Sequence, residues 1–434
     1  MRPEGKEMER ENLKYRTYIK ILERELVPAM GCTEPIAIAF CAATARKTLG
    51  ARPTAIRVEA SGNIIKNVKS VIVPNTGGKH GIEAAAAAGA LYGDAEAGLQ
   101  VFAHAAPEEI EGLDAYMQET EICVANIDFG YVLDIIVTVS DGVHTAKART
   151  ALEHTNLVRI EKDGAVLFEK PIVEETDPNM PDYELLNVRD ILDFAKSCDL
   201  EDVLPVLKRQ IAYNVKISDE GLNNPYGSNI GKTLMQVYGD ENVRIRAKAR
   251  AAAGSDARMN GCDLPVVINS GSGNQGMTVS LPVYEYAMAL QAPEEAMWRA
   301  LLVSNLVTLH EKEGIGRLSA YCGAVSAGAG AGAGIAWLKT GGDVQAVEQT
   351  IVNALAITSG IVCDGAKASC AAKIATAVDA GILGFEMYRN GRSFRGGDGL
   401  VAENVEHTIS NISRLGREGM KGTDKEIIDI MISR

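Results

Sequence analysis

The run Val325-Ser-Ala-Gly-Ala-Gly-Ala-Gly-Ala-Gly-Ile-Ala-Trp337 is built almost entirely of residues with little or no side chain. Its glycine spacing does not fit a dinucleotide-binding loop, because position 333 is alanine, and the run is too short to cross a membrane. Small residues on a helix surface let neighbouring helices approach closely. The run therefore predicts a buried helix at the centre of helical packing.

Helical periodicity continues on both sides of this run. Apolar residues recur at helical spacing from Asn12 to Met30, and again from Asp182 to the C-terminus. The last predicted helix opens with Thr423-Asp-Lys-Glu426, which has the form of a capping box. The other helices predicted beyond Asp182 are Leu185–Cys198, Val203–Lys216, Gly231–Tyr238, Pro293–His310, Val344–Ser359 and Val401–Leu415.

Strand patterns occupy the region between these helical segments. Period-two alternation and β-branched residues mark 55–73 and 121–170, as in Val132-Leu-Asp-Ile-Ile-Val-Thr-Val139. Asp163-Gly164 indicates a hairpin turn, and an alanine-rich helix is expected over 82–91. We therefore predict an α+β fold: a mostly helical domain of residues 1–50 and 176–434, carrying an inserted α/β domain of residues 51–175.

Length and charge restrict the class of protein. A chain of 434 residues exceeds the usual size of a single core, which favours two domains. The formal charge of −13 and the pI near 5.1 argue against nucleic acid or an anionic membrane as partner. The charged N-terminal segment lacks the apolar core of a signal peptide, and no apolar run reaches about 18 residues. A cytoplasmic protein with a small-molecule partner is expected.

Three of the eight cysteines, Cys32, Cys322 and Cys363, stand among glycine, alanine and other small residues. Thiolates are soft ligands for zinc, copper(I) and iron–sulfur clusters, and small neighbours let a cofactor approach. Cys32 precedes a helix predicted over 36–49, and a helix N-terminus favours a thiolate. Cys370 is a weaker ligand candidate than these three, because it is expected to lie inside a helix that begins at Asp364-Gly365. The remaining cysteines are expected to be free thiols without a ligand role: Cys41, Cys123, Cys198 and Cys262.

A second candidate site is the glycine-rich segment Ser270-Gly-Ser-Gly-Asn-Gln-Gly276, which follows a strand-like stretch. Because Met277–Pro282 is a poor helix opening, a dinucleotide site is not expected. Backbone N–H groups in such a loop can hold a carboxylate or a phosphate, and a purely structural turn is the alternative. Arg258, oriented by Asp256, could clamp a carboxylate or form a surface ion pair.

Two further features allow either a functional or a purely structural interpretation. Asn75-Thr-Gly-Gly78 joins a strand to a helix, so its N–H groups could face an anion, but an ordinary turn is equally compatible. His154 is expected to be a hydrogen-bonded or exposed histidine without a catalytic role.

Five segments taken together, in order along the chain, resemble the L-cysteine desulfidase family, which is related to the α-domain of iron–sulfur L-serine dehydratases. The matching segments are Gly31-Cys-Thr-Glu-Pro35, Ser255-Asp-Ala-Arg-Met259, Asn269-Ser-Gly-Ser-Gly-Asn-Gln-Gly276, Leu318-Ser-Ala-Tyr-Cys322 and Cys363-Asp-Gly-Ala-Lys-Ala-Ser-Cys370. The resemblance covers the chain from about residue 20 to its end.

The resemblance implies a [4Fe–4S] cluster held by Cys32, Cys322 and Cys363, with one iron left open for the β-substituent of the substrate. It implies conversion of L-cysteine to pyruvate, ammonia and hydrogen sulfide without pyridoxal phosphate. The substrate-binding residues it implies are Asn63, Thr76, Gly77, Arg258, Ser270, Ser272, Asn274 and Gln275. The general base stays unassigned; Lys79, His80, Lys373, the substrate's own ammonium and a cluster-bound thiolate are the candidates considered.

Three alternatives stay open at this point. The same cluster could serve an L-serine or other β-substituted amino-acid deaminase. A pyridoxal-phosphate lyase could use residues 270–276 as a phosphate cup, and a non-catalytic protein could use the thiolates to hold zinc or bind cysteine. A homodimer is possible. If the cluster hypothesis is correct, the three sulfurs converge beside the loop Asn269–Gly276 and no fourth thiol completes the coordination.

Overall fold

A computed structural model describes residues 8–29, 33–173, 179–316 and 319–432. The described chain is mostly helical and contains one mixed six-stranded sheet, which confirms the α+β prediction. In these residues no helix is both long and apolar enough to span a membrane.

The helices are α1 Leu13–Glu25, α2 Thr33–Leu49, α3 Gly62–Val68, α4 Gly81–Tyr92, α5 Pro107–Glu111, α6 Leu113–Glu119, α7 Val188–Ser197, α8 Leu204–Asn223, α9 Ile230–Tyr238, α10 Val243–Met259, α11 Gly273–Ala289, α12 Glu294–Ile315, α13 Gly323–Thr340, α14 Val344–Thr358, α15 Cys370–Arg389, α16 Val405–Arg414 and α17 Lys421–Ile432. The strands are β1 Pro28–Ala29, β2 Ala55–Ser61, β3 Glu121–Ile127, β4 Asp134–Ser140, β5 Thr145–Ala151, β6 Leu157–Lys162, β7 Ala165–Glu169 and β8 Val266–Val267.

The six-stranded sheet has the order β3-β2-β4-β5-β6-β7. Only β2 and β3 pair in parallel, and the other neighbours are antiparallel. Asp163 and Gly164, with φ values of 49° and 81°, form the two-residue turn between β6 and β7. Both central residues of a type I′ turn need positive φ, so the predicted hairpin is confirmed.

Helices α2 and α4 cover one face of this sheet and share an apolar core with it. The alanine-rich α4 matches its prediction and approaches α2 closely. A Cβ added at Gly89 would lie 2.2 Å from the carbonyl oxygen of Ala39, so glycine is required there. Helix α2 packs on the sheet, although the predicted boundary after residue 50 groups it with the helical domain; the two-domain division and its boundaries stay a prediction.

The small-residue helix α13 is buried at the centre of the helical unit, as predicted. It packs against α11, α12, α14 and α15. A Cβ on Gly328 would lie 2.4 Å from the Ala377 carbonyl oxygen on α15, and one on Gly334 would lie 2.8 Å from the Ala300 carbonyl oxygen on α12. Neighbouring backbones therefore occupy the space that side chains would need.

Helices α11 and α10 depart from what the sequence suggested. Helix α11 begins at Gly273 and continues through Pro282, although the sequence after Gly276 looked unsuited to a helix. The Ser272 side chain caps it by accepting from the Gln275 N–H, and the helix is almost wholly buried, so packing overrides the missing N–H of proline. Helix α10 was not predicted, because its buried face consists mainly of alanine rather than large apolar residues.

The close approach of α4 to α2 makes Gly89→Ala a sharp test of the packing. Overpacking of this kind is expected to lower the free energy of unfolding by about 1–3 kcal/mol, measured by urea denaturation. The control is Gly422→Ala in the exposed helix α17, where nothing lies within 4 Å of the added Cβ. That substitution is expected to change stability by less than about 0.5 kcal/mol or to raise it slightly. Equal effects at the two positions would contradict the packing.

Candidate functional site

Backbone pairing brings Cys322 and Cys363 together. Tyr321 and Val362 form an antiparallel bridge, and the Cys363 N–H donates to the Ala320 carbonyl at 2.6 Å. Each cysteine lies one position beyond the bridge, so the two side chains share the opposite face of the paired segments. Diagonal neighbours of this kind lie about 7–8 Å apart. Two of the predicted ligands are therefore adjacent in space.

A third thiol, Cys370, lies near this pair. It is the first residue of α15, so the helix begins later than the Asp364-Gly365 step where it was expected. Its Sγ donates to the Gly365 carbonyl at 3.4 Å. Burial raises the pKa of the Cys322 thiol to about 12, and the charges of Cys363 and Cys370 act in the same direction. Burial also raises the pKa of Cys370, where Lys367 opposes it and Cys363 adds to it.

Cys32 lies outside the described residues, so its predicted place beside the other two stays a prediction. The described residues on either side of it are Ala29, which pairs with Val266 in the β1–β8 ladder, and Thr33. The Thr33 hydroxyl hydrogen-bonds the Nε2 of His154 at 2.9 Å, which confirms His154 as a hydrogen-bonded histidine. Among the described residues, no three His, Cys, Asp or Glu side chains group tightly enough to hold a single metal ion.

The loop after Cys363 is held by a charged network. Asp364 accepts from Lys367 at 2.5 Å and from Lys373, which also donates to the Val362 carbonyl at 2.7 Å. Burial would raise the pKa of the Asp364 carboxyl, but the two lysines outweigh it and lower that pKa. Two cations are thereby fixed close to the thiols.

Gly365 fits this loop against α3. Its φ is 94°, and an added Cβ would lie 1.9 Å from the Lys66 carbonyl oxygen. The N–H of Ala366 donates to the same oxygen at 3.3 Å. The Cys363 loop thus spans from the helical unit to the α/β unit.

The glycine-rich segment is a tight turn followed by a helix start. Asn269 and Ser272 exchange two backbone hydrogen bonds of 3.1 Å, and the residues between them, Ser270 and Gly271, have φ values of 48° and 74°. These values define a type I′ turn. The N–H groups of Gln275 and Gly276 donate to Ser272, whereas those of Gly273 and Asn274 lie at the start of α11, where orphan donors and the helix dipole favour an anion.

Arg258 lies over the start of α11. Its Nη1 donates to Asn274 Oδ1 at 3.5 Å, and a Cβ on Gly273 would lie 2.5 Å from its Nε. Asp256 was expected to orient this guanidinium, but that expectation was wrong: its Oδ2 accepts from the Gly231 N–H at 2.9 Å. Burial raises the pKa of Asp256 to about 6. Asp256 therefore anchors the start of α9.

Gln275 joins the glycine-rich segment to the thiols. Its side chain is buried against Gly323, the residue after Cys322, where an added Cβ would lie 2.6 Å from the Gln275 Cδ. In the described structure neither Gln275 Oε1 nor Asn269 Oδ1 has a hydrogen-bond donor. The Asn269 amide nitrogen is already used by Asn305 Oδ1 at 3.0 Å. Buried acceptors of this kind call for a donor from a ligand or water.

The other implied substrate residues lie in the α/β unit. The Thr76 hydroxyl donates to the Val73 carbonyl at 2.7 Å and accepts from the Lys79 N–H at 3.1 Å, so it closes its own turn. A Cβ added at Gly77 would lie 3.9 Å from the Cγ2 of Ile110. Neither has a described contact with the thiols or the glycine-rich segment. Asn63 lies on α3, the helix that contacts the Cys363 loop, and its Oδ1 accepts from Asn67 at 3.1 Å.

Sequence reasoning missed two buried ionisable residues on α12. Burial lowers the pKa of the Lys312 ammonium, and the nearby charges of Cys363 and Cys322 oppose that shift. Burial raises the pKa of the Glu311 carboxyl well above its ordinary value, while the Ser326 hydroxyl opposes it. The predicted helix ended at His310, whereas the apolar Ile315 one turn later was the signal that it continues.

Residues 96–429 match the family described as serine dehydratase alpha chain, and the chain belongs to that family. This confirms the part of the resemblance that concerns the serine dehydratase alpha domain.

Relatives align along nearly the whole chain. A protein named UPF0597 protein DSY1109 from Desulfitobacterium hafniense is 55% identical over 98% of this chain and 99% of its own length. UPF0597 proteins from Lachnoclostridium phytofermentans and Treponema denticola are 53% and 46% identical, each over 96% of this chain and over 100% and 98% of their own lengths.

Thiol reactivity tests the described cysteine environments. Because the thiolate is the nucleophile, the exposed Cys123 is expected to react with iodoacetamide at pH 8 long before Cys41 and Cys198. Both of these are buried, and burial raises their pKa to about 12 and about 11. Peptide mass spectrometry of oxygen-free, metal-free protein measures the order, with urea-unfolded protein as control. Equal labelling of Cys41 and Cys123 would show that the described burial is wrong.

Proposed function

We propose that the chain is an iron–sulfur β-eliminating amino-acid lyase that acts on L-cysteine. The observation that carries this proposal is the placement of Cys322 and Cys363 on one face of a backbone pair, with the buried Gln275 side chain packed on Gly323, the residue after Cys322. Membership of the serine dehydratase alpha chain family supports the reaction class. The choice of cysteine as substrate comes from the sequence resemblance.

The donor set fits a [4Fe–4S] cluster. Thiolates are the usual ligands of such clusters, and Cys322, Cys363 and Cys32 are the residues proposed to hold it. When bound, a cluster with three protein ligands supplies a Lewis-acidic iron for the β-substituent of the substrate. The two cations of the Asp364 network add positive charge near the thiols.

The polar groups around the glycine-rich segment suit the other end of an amino acid. The oxygens of Asn269 and Gln275 can accept hydrogen bonds from a substrate ammonium. Arg258 and the N–H groups at the start of α11 can bind a carboxylate. Ser270, Ser272 and Asn274 lie in this turn and helix start and are further proposed substrate-binding residues. Asn63 borders the site through α3, whereas the described contacts of Thr76 and Gly77 favour a structural role for that turn.

The reaction proposed for this site is an elimination followed by hydrolysis. The Cα proton passes to a base, and the electron pair of the C–S bond leaves with sulfur, which departs as hydrogen sulfide after protonation. The aminoacrylate that remains tautomerises to an imine, and water converts it to pyruvate and ammonia.

The base stays unassigned, but the structure makes three candidates less suitable. Lys373 donates to Asp364 and Val362, and although burial opposes it, the Asp364 charge raises the pKa of this ammonium. Lys79 pairs with Asp114 at 2.5 Å, and His80 hydrogen-bonds the Ser70 carbonyl, both within the α/β unit.

L-Serine is the second candidate substrate, because the family description itself names serine dehydratase. A serine hydroxyl would then take the place of the thiolate as the leaving group. Cytoplasmic location and a homodimer remain proposals from the sequence.

Metal analysis of protein purified without oxygen tests the proposal. We expect iron and acid-labile sulfide in the wild type, and loss of both in Cys322→Ser and Cys363→Ser, with Cys123→Ser as the matched exposed control. Cys370→Ser is expected to keep the cluster, because three other thiolates suffice. Zinc without iron or sulfide would contradict the proposed cluster. Loss of iron in Cys370→Ser would show that Cys370 is a fourth protein ligand.

A substrate assay on the same preparation separates the two substrates. Pyruvate and sulfide are expected from L-cysteine, with lower pyruvate formation from L-serine, and iron chelation is expected to abolish both. Pyruvate from serine alone would reject the desulfidase. Activity that survives iron chelation but is lost on borohydride reduction would instead indicate pyridoxal phosphate.

A further inference from the structure

Two lysines in the described part of the chain are buried to nearly the same extent, Lys66 at 6% and Lys312 at 5% exposure. Lys66 donates to the carboxylate of Asp424. Lys312 donates to a single described acceptor, the carbonyl oxygen of Gly316, at 2.9 Å. An ammonium has three donors, so the described residues leave Lys312 with neither a carboxylate nor a full set of acceptors.

A buried ammonium without a counter-charge is costly, because removing it from water is compensated only by a charge or by several hydrogen bonds. Neither the carboxyls adjacent to it in sequence nor that of the Cys363 loop supplies that charge. Glu311 is buried, its side chain faces Ser326 on α13, and Glu313 is exposed. Asp364 is already shared by Lys367 and Lys373.

The acidic groups that do act on Lys312 are the two thiols. Among the described residues, the charged side chains that favour the ammonium form of Lys312 are those of Cys363 and Cys322. On α12, Lys312 lies two turns after Asn305, on the same side of the helix. Asn305 accepts from Asn269 of the glycine-rich segment. The ammonium therefore belongs to the face of α12 that borders both halves of the candidate site.

We propose that Lys312 is the counter-cation of the thiolate metal centre. It offsets the net negative charge that the thiolates and their cluster bring into a buried site, and so strengthens cluster binding and makes the cluster easier to reduce. Net charge is one of the factors that set the potential of an iron–sulfur cluster. The inference rests on the metal-binding part of the proposed function and is independent of which amino acid is the substrate. Lys312 acts here as a positioning residue.

Lys312→Met tests this assignment, because methionine keeps much of the stem volume and removes the charge. Residues that support metal ligands contribute roughly 10- to 100-fold to metal affinity, and we expect a loss of that size in competition with an iron chelator. The midpoint potential, from an anaerobic redox titration followed by electron paramagnetic resonance, is expected to shift to more negative values. The melting temperature of the metal-free variant should equal or exceed that of the metal-free wild type, because a buried charge is gone.

Two further variants separate charge from packing. Lys312→Arg keeps the charge. This variant is expected to keep a midpoint potential close to that of the wild type and to retain most of the iron. Lys339→Met makes the same substitution on the neighbouring helix α13, where the lysine pairs with Glu386, and should leave iron affinity unchanged.

The outcomes are distinct. Unchanged affinity and potential in Lys312→Met would overturn the counter-cation, as would an equal loss of iron in Lys339→Met. A wild-type protein that binds no iron would instead reject the cluster itself, and with it this role of Lys312.

Discussion

The close packing of backbone against backbone around α13 is the constraint on which the helical unit depends. Gly332 of α13 and Gly381 of α15 face each other, and a Cβ on Gly332 would lie 2.7 Å from the Gly381 carbonyl oxygen. Dense interiors tolerate few shifts, so a helix held on several sides has little freedom to slide or rotate. Its first residue follows Cys322 directly. The packing of α13 thus sets the position of one proposed metal ligand.

The second constraint is the connection between the two apolar cores. The residues up to Cys363 pair with the segment 320–322, and the loop that follows Cys363 packs through Gly365 against Lys66 near the end of α3. One short stretch of chain therefore contacts the segment that leads into α13 and a helix of the α/β unit. Charged groups gather where these units meet: Lys367 and Lys373 share Asp364, and Lys312 lies buried nearby. A site built this way combines low solvent access with fixed positive charge, which suits thiolate ligands.

Much of the fold followed from local patterns. The alternation around Val132–Val139 and the Asp163-Gly164 turn predicted strands and a hairpin that the structure contains, because a pleated strand with one buried face imposes a period of two. Helix α11 could not be predicted this way. Its start depends on the Ser272 cap, and its continuation through Pro282 depends on burial among other helices, neither of which residue preferences reveal.

The site was less accessible to sequence reasoning than the fold. Spacing alone could not relate Cys322 to Cys363; only the resemblance suggested that they act together, and the antiparallel pairing of their neighbours explains how. Asp256 looked like a partner for Arg258 two residues away, but residues two apart on a helix point in different directions, and Asp256 instead reaches the start of α9. Lys312 resembled any lysine near the end of a helix until its burial was known.

The sequence by itself determined the classes of secondary structure, the buried small-residue helix and the candidate thiols, because these depend on side-chain size, periodicity and chemical type. Tertiary structure alone decided which of these groups meet. It placed Cys370 near Cys322 and Cys363, left Thr76 and Gly77 without a described contact to these three cysteines, and buried Lys312 near two of them. Such contacts join residues far apart along the chain, and their geometry is set by helix and loop packing that local sequence does not encode.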